Sequence, residues 1–182
     1  MSPPPLLVLG LGNVLCADDG LGVAAVTELS RRYQLVPEVR VVDGGTLGLS
    51  LLGLFDGIDD AILVDAILAD AAPGSLVQLE GEAVEPAARE RLSVHQVGVA
   101  DLLDALRLMG NAPERLSLIG LVPARVELGL GRSVAVERAL PGLVLTLAAE
   151  IERRGHRVVA RRSDDAPELA PVARDAARAL GL

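Results

Sequence analysis

Three polar positions in this sequence have the residue types for chemistry. Asp18 and Asp19 follow a glycine-rich turn, Asp65 ends an apolar run, and His95 follows a serine by two residues. Two carboxylates and one neutral imidazole can serve as a three-ligand metal set that leaves positions for water or substrate. These ligand types suit zinc or nickel and do not distinguish the two metals.

Each acidic position also has a structural explanation. One acid of the Asp18 and Asp19 pair can cap a helix, although two adjacent acids exceed what a cap requires. An acid at a helix N-terminus stays ionised, which suits a metal ligand. A carboxylate at the end of a buried strand is costly unless it is paired, capped or metal-bound. Asp65 therefore either accepts hydrogen bonds from loop amides or binds a metal.

The histidines and the cysteine differ in what their surroundings predict. Ser93 and Gln96 fit a capping box, which places His95 in the first turn of a helix. The positive end of a helix disfavours a protonated ring, so His95 either binds metal or is an ordinary exposed loop histidine. His156 lies among arginines and is expected at the surface. Cys16 can act as a nucleophile only if His95 reaches it, and otherwise is a small core residue.

The composition limits the kinds of site that are possible. The 182 residues include one cysteine and two histidines, which excludes a cysteine-rich zinc site and a three-histidine site. All 17 basic residues are arginine, which excludes a Schiff-base lysine and a P-loop. A net charge of −8 and two aromatic residues argue against nucleic-acid binding. No apolar run approaches the ~20 residues of a membrane span, so we expect a cytoplasmic protein.

The elements that position these residues alternate between strands and helices. The pattern predicts strands at Leu6–Gly10, Glu38–Asp43, Asp60–Asp65, Ser75–Glu80 and Leu116–Val122. It predicts helices at Asp19–Tyr33, at Thr46–Phe55 with Thr46 as cap, at Val99–Met109, and from a first turn containing Pro141 to Gly155. This order predicts an α/β fold: a single-domain, open, twisted, mostly parallel sheet with helices on both faces. The domain is expected to span 1–160, and 161–182 to form a weakly structured C-terminal extension with a possible short helix.

Four short motifs follow one another along the chain. They are Gly10-Leu11-Gly12-Asn13 with Asp18-Asp19-Gly20-Leu21-Gly22, then Asp43-Gly44-Gly45-Thr46, then Asp65-Ala66, then His95-Gln96 with Gly98-Val99-Ala100-Asp101. In this order and spacing the chain resembles the hydrogenase maturation endopeptidases. Members of that family trim the C-terminal extension from the large subunit of NiFe hydrogenases. The resemblance covers most of the chain, from Leu6 to about Gly155.

The resemblance implies particular site residues. Asp19, Asp65 and His95 would be both the metal ligands and the catalytic residues. The first ligand is a glutamate in some relatives, and because aspartate is one methylene shorter, its ligand atom must come from a slightly different backbone position. A segment thought to recognise the substrate follows the second strand: Asp43, Gly44, Gly45 and Thr46. Its glycines either admit a bound peptide or only allow a tight turn.

The resemblance also implies a reaction and a partner. The chain would be an endopeptidase that cuts the large-subunit precursor after nickel insertion and uses the bound nickel for recognition. Nickel is then expected to arrive with the substrate, although other divalent metals can occupy such a site. Either a carboxylate or a metal-bound water attacks the scissile peptide, or the metal only positions the chain. We expect a monomer with the precursor as its partner, no nucleic acid and no membrane insertion.

Two other functions fit parts of the sequence. The Gly-x-Gly after the first strand is shared with flavodoxin-like modules that bind flavin or nucleotides. Leu15 occupies the third glycine position, however, and acids stand where a phosphate needs amides and positive charge. A non-catalytic nickel-checkpoint chaperone would bind the precursor without cutting it, and only a cleavage assay separates it from a protease.

Overall fold

The structure, a computed structural model, describes residues 3–37, 39–89 and 97–161. The strands are β1 (Leu6–Leu11), β2 (Tyr33–Val36), β3 (Val39–Gly45), β4 (Asp60–Ala66), β5 (Leu76–Glu80), β6 (Arg115–Leu121) and β7 (Arg157–Ala160). The α-helices are α1 (Leu21–Arg32), α2 (Val84–Arg89), α3 (Val97–Leu108) and α4 (Val134–Arg153). Short 3-10 helices cover Ala17–Gly20, Gly48–Phe55 and Gly81–Ala83.

The central sheet has five strands in the order β3-β1-β4-β6-β5. Neighbouring strands run parallel from β3 to β6, and β5 is antiparallel at one edge. The predicted mostly parallel α/β sheet is therefore confirmed. The chain places β3 on one side of β1 and then returns to place β4 on the other side, so the strand order reverses between β1 and β4.

Alternate residues of the central strands face two separate apolar cores. Leu6 and Val8 pack with α1 and α4 on one face of the sheet. Leu7 and Leu9 pack on the other face with α2, α3 and the 3-10 helix Gly48–Phe55. Helices cover both faces as predicted, and this is why β1 and β4 are continuous apolar runs in the sequence.

The last helix begins earlier than predicted. Pro141 was expected in its first turn, but α4 begins at Val134, with Ser133 as an N-cap whose Oγ accepts a backbone N–H at 3.4 Å. Pro141 lies inside α4 on the exposed side. The carbonyl that loses its helical donor belongs to Glu137, which is also exposed, so water can replace the missing bond. Gly155, with φ +91°, follows the end of the helix as predicted.

Two predicted helix starts are also wrong. The helix expected from Asp19 begins at Leu21, because the chain first forms the 3-10 turn Ala17–Gly20. The helix expected from Thr46 is the 3-10 helix Gly48–Phe55, and Thr46 is exposed before it. The pairing of β3 with β1 continues to the last residue of β3, so the turn toward the helix starts later than the sequence suggested.

A two-stranded antiparallel sheet of β2 and β7 is absent from the sequence prediction. Tyr33, expected to end the first helix, instead pairs with Ala160. His156, just before β7, is only 3% exposed, and its Nδ1 lies 2.6 Å from the carbonyl oxygen of Pro37. The predicted surface position of His156 is therefore wrong, because the return of β7 to β2 places this side chain over Pro37.

Some predictions lie outside the described residues. They include His95, the capping box of Ser93 and Gln96, and the short helix expected in the C-terminal extension. The division into 1–160 and 161–182 consequently stays a prediction. Within the described ranges, none of the helices combines the length and the apolar character needed to cross a membrane.

Candidate functional site

The two acids expected to bind metal lie at the carboxyl end of the sheet. Asp65 stands near the end of β4, and Asp19 lies in the turn that follows β1. These are the two strands between which the strand order reverses. In open α/β sheets, ligands bind in the crevice outside the carboxyl ends of the strands at this point. The fold therefore places both predicted residues where open α/β sheets bind their ligands.

Gly12 is the residue at which the parts of the site meet. Its φ is +115°, and a Cβ there would overlap the carbonyl oxygen of Asp19 and lie 3.7 Å from Oδ1 of Asp65. Its N–H donates to the carbonyl oxygen of Gly45 at 3.0 Å. Only glycine fits this position without strain. The structure thus brings Asp19, Asp65 and the segment 43–46 together.

The first turn of α1 lies directly against the strands that carry the site. A Cβ on Gly22 would overlap the carbonyl oxygens of Val64 and Leu11, which belong to β4 and β1. Backbone therefore packs on backbone where the helix begins. This contact explains why the second residue of α1 is a glycine, and it fixes the position of the helix that follows Asp19.

Asp19 is 1% exposed, and its carboxylate closes the glycine-rich turn. Oδ2 accepts a hydrogen bond from the N–H of Asn13 at 2.8 Å. In a nucleotide-binding turn the amides at this place face a phosphate, which needs donors and positive charge. Here an acid binds the amide instead. The geometry therefore argues against the flavin- or nucleotide-binding alternative.

Asp65 is completely buried within β4. Its Oδ1 accepts a hydrogen bond from the N–H of the next residue, Ala66, at 2.7 Å. The expected interaction with an amide is thus present. It is compatible with metal binding as well, because an ionised carboxylate offers about four acceptor positions on its two oxygens.

Asp18 has a role that the sequence did not reveal. Its carboxylate is fully buried and accepts the N–H groups of Ala124 at 2.8 Å, Arg125 at 3.1 Å and Ser133 at 2.6 Å. Burial raises the pKa of Asp18, but these hydrogen bonds outweigh it and lower the pKa below its ordinary value. The partner Ala124 lies 106 residues further along the chain, so only the folded structure shows the contact.

The segment expected to recognise substrate lies beside Gly12. Oδ1 of Asp43 accepts the N–H of Gly45 at 3.0 Å, which shapes the turn. Burial raises the pKa of Asp43. Gly44 is buried against β1, whereas Thr46 is exposed. These residues therefore form a tight turn. Within the segment, Thr46 has the side chain most accessible to a bound chain.

The full three-ligand set stays a prediction. Among the described residues, no three His, Cys, Asp or Glu side chains are grouped as they would be around a metal ion. His95 lies outside these residues, while Asp19 and Asp65 flank Gly12. Cys16 is partly buried, and its backbone forms an isolated β-bridge with Gly129. It is therefore not a fully buried core residue.

Comparison with known proteins identifies the family. A family model described as "Hydrogenase maturation protease" matches residues 23–150. The hydrogenase 2 maturation protease of Escherichia coli is 41% identical over 146 residues, which is 79% of this chain and 89% of the relative. This chain belongs to the hydrogenase maturation protease family. The hydrogenase expression/formation protein HupD of Rhizobium leguminosarum bv. viciae is 37% identical over 166 residues, 88% of this chain and 82% of the relative.

The solved structures agree with this assignment. The hydrogenase maturating endopeptidase HybD from Escherichia coli superimposes with a TM-score of 0.80 at 36% identity, over 88% of this chain and 99% of that chain. The relatives and structural neighbours of this hydrogenase maturation protease are endopeptidases, so the chain is a hydrolase that acts on peptide bonds. The expected fold and enzyme class are therefore confirmed.

Proposed function

We propose that this protease removes the C-terminal extension of a NiFe hydrogenase large-subunit precursor after nickel has been inserted. The observation that carries the proposal is the meeting of Asp19, Asp65 and the segment 43–46 at Gly12. The name of the Escherichia coli relative, a hydrogenase 2 maturation protease, supports the choice of substrate class. We expect the protease to be a monomer in the cytoplasm, with the precursor as its partner.

The acid pair suits a divalent cation that arrives with the substrate. Both carboxylates are buried, and each accepts a hydrogen bond from a backbone N–H. Gly12 lies against the backbone carbonyl of Asp19 and close to Oδ1 of Asp65, where a side chain would not fit. In the proposal Asp19 and Asp65 supply oxygen ligands and His95 a nitrogen ligand, a set that suits nickel. When bound there, the metal can polarise the scissile carbonyl or hold the precursor chain in place.

The remaining steps belong to residues of this chain. One carboxylate of the pair is suited to take the proton of an attacking water, since it lies in a buried site and carries negative charge when ionised. The segment of Asp43, Gly44, Gly45 and Thr46 is proposed to bind the precursor chain next to the acids. The carbonyl oxygen of Gly45 is fixed by the hydrogen bond from Gly12, so the exposed Thr46 that follows it is held at the rim of the site.

The test compares nickel-loaded and nickel-free precursor as substrates. We expect the wild-type protease to cleave only the nickel-loaded form. Asp65→Asn and His95→Ala should each slow cleavage by about 100-fold, the lower range for loss of an acid–base group. Asp70→Asn, which changes an exposed acid, should cleave at the wild-type rate.

Three results would contradict the proposal in different ways. Equal cleavage of both precursor forms would show that nickel is not recognised. Normal cleavage by His95→Ala would show that the assigned ligand set is wrong. Binding of the precursor without any cleavage by the wild-type protein would leave the chaperone function in its place.

A further inference from the structure

The loop between β6 and α4, residues 122–133, is tied to the segment that leads into Asp19. The carboxylate of Asp18 accepts N–H groups near both ends of this loop, from Ala124 and Arg125 at the start and from Ser133 at the finish. In return, the N–H of Asp18 donates to the carbonyl oxygen of Arg125 at 3.3 Å. A single buried side chain therefore holds both ends of the β6–α4 loop.

The middle of the β6–α4 loop is held by the same segment. The N–H of Ala17 donates to the carbonyl oxygen of Gly129 at 2.9 Å. The N–H of Gly129 donates to the carbonyl oxygen of Leu15, also at 2.9 Å. Residues 15–18 thus fix the start, the middle and the end of the β6–α4 loop. Ordering a loop costs conformational entropy, and these hydrogen bonds offset that cost.

The β6–α4 loop presents leucines to solvent. Leu128 is 85% exposed and Leu130 is 80% exposed, on either side of Gly129. Leu15, which bonds to Gly129, is 56% exposed. We call these three residues the leucine surface. Single exposed leucines are ordinary, but these three are brought together where the backbones of Leu15 and Gly129 pair, and exposed apolar groups gathered beside a functional site are typical of a binding region.

The topology places the leucine surface on one side of the site. The strand order is β3-β1-β4-β6, and the acids lie at the ends of the two middle strands. The segment 43–46 follows β3, and the β6–α4 loop follows β6. These two connections therefore flank the acids from opposite sides, and a peptide that crosses the acids must leave over one of them.

We propose that Asp18 is a positioning residue: by fixing the β6–α4 loop next to Asp19, it holds the leucine surface where an extended apolar segment of the precursor binds. The inference rests on the proposed function, since the precursor is the occupant. It differs from that proposal in assigning a role to Asp18 and to residues outside the ligand set and the segment 43–46.

The first test removes the apolar side chains without touching the core. We expect the double variant Leu128→Ser, Leu130→Ser to raise KM for cleavage of nickel-loaded precursor, and Kd for its binding, by about tenfold, with kcat within a factor of about two. The matched control is Leu108→Ser, because Leu108 is a 90% exposed leucine at the end of α3. The control should leave both constants unchanged.

The second test weakens the hydrogen bonds that the Asp18 carboxylate accepts from the β6–α4 loop. In Asp18→Asn, one carboxylate oxygen becomes an NH₂ group that cannot accept the N–H facing it, so at least one end of the loop loses its hydrogen bond and we expect the leucine surface to be less firmly positioned. KM should rise by about tenfold. Adding the two leucine changes to Asp18→Asn should raise KM little further, since they remove a contact that is already lost. Ser117→Ala, which removes a buried partner of Arg154 at 2.6 Å, should lower Tm and leave KM unchanged.

The outcomes separate the inference from the proposed function. A wild-type KM in the double leucine variant, or additive effects on KM in the combined variant, would overturn the inference. The proposed function would still stand in that case, provided that the wild-type protein cleaves the precursor. A wild-type protein that neither binds nor cleaves the precursor would overturn both. If Asp18→Asn does not fold, the leucine variant and its control decide alone.

Discussion

Buried carboxylates lie at both ends of the central sheet, and the groups that hold them differ. At the amino end, Arg154 forms ion pairs with Asp60 and with Glu150, the latter at 2.8 Å. The side chain of Arg154 is completely buried, and its Nη2 donates to Oγ of Ser117 at 2.6 Å. This cluster brings its own positive charge into the interior, which is the usual condition for burying acids.

At the carboxyl end, backbone amides donate to the buried acids. Asp18 accepts three such hydrogen bonds, and Asp19 and Asp65 each accept at least one. A guanidinium cancels the charge of a carboxylate, whereas an amide dipole stabilises that charge without cancelling it. The two ends therefore bury their acids with different partners: a shared arginine at the amino end, and main-chain N–H groups in the contacts described at the carboxyl end.

The largest expected effect is at the amino end. Arg154→Met leaves Asp60 and Glu150 buried without their shared cation, so we expect a loss of about 3–5 kcal/mol in the free energy of unfolding. Denaturant unfolding measures this loss. Arg153→Met, which changes a side chain that is 55% exposed, should cost less than about 1 kcal/mol.

The same variant tests whether the amino end is purely structural. The fraction of Arg154→Met that folds should cleave precursor with the wild-type kcat/KM. A stable variant with greatly reduced cleavage would break the distinction between the two ends.

The next effect is expected at the carboxyl end and has the opposite pattern. Asp19→Asn keeps an oxygen that can accept the N–H of Asn13, so the free energy of unfolding should change by less than about 1 kcal/mol. Precursor cleavage should fall by about 100-fold. Asp101→Asn, at an exposed position of α3, is the matched control. Large destabilisation with normal cleavage would make Asp19 resemble the acids of the amino end.

A smaller effect is expected in the segment that flanks the acids. Asp43→Ala removes the acceptor for the N–H of Gly45, so the turn is less ordered before the precursor binds. KM should rise by about fivefold, equivalent to the roughly 1 kcal/mol of one hydrogen bond. Steady-state cleavage of nickel-loaded precursor measures it. Asp59→Ala, an exposed acid near the opposite end of the sheet, should leave KM unchanged.

The smallest expected effect is at Glu28, which pairs with two arginines and is not deeply buried. Hydrogen bonds from Arg31, followed by those from Arg32, lower the pKa of Glu28 from its ordinary 4.5 to about 2, against the opposing effect of burial. A lowered pKa stabilises the fold above about pH 4.5, and this contribution is lost as the pH falls toward about 2. At pH 7 Glu28→Gln should cost no more than about 1 kcal/mol.

Denaturant unfolding at several pH values separates the causes of that effect. The difference between wild type and Glu28→Gln should shrink steadily in acid. If the difference in free energy of unfolding persists near pH 2, it comes from helix packing and not from the ion pairs of Glu28. These ion pairs could then not be compared with those of Arg154.

The parts of the molecule that were predictable are those set by local pattern. Strands β1 and β4 are covered on both faces, so their positions follow from continuous apolar runs. Asp65 was singled out because a carboxylate ends such a run, and the pair Asp18 and Asp19 because it follows a glycine-rich turn. The choice of Asp19 within that pair came from the family resemblance and stays a prediction. The convergence of these residues follows from the rule that functional groups gather at the carboxyl ends of parallel strands.

The parts that were missed depend on contacts between distant segments. Asp18 is satisfied by amides more than 100 residues away, and no local pattern records this. Strands β2 and β7 have four residues each, too few for a clear alternation. The burial of His156 follows from their pairing. Pro141 was misleading because its usual place in a first turn does not hold on the exposed side of a long helix.

The contact of Gly22 with the carbonyl groups of Val64 and Leu11 has a consequence for how the protease meets its partner. Main-chain atoms, which have few alternative conformations once folded, set the relative positions of β1, β4 and α1 next to the two acids. This part of the protein is therefore preorganised, and the entropy cost of ordering it is incurred when the protease folds. Binding of the proposed precursor then requires little reordering around Asp19 and Asp65, so we expect the rate of productive encounters to depend mainly on how the precursor presents its own chain end.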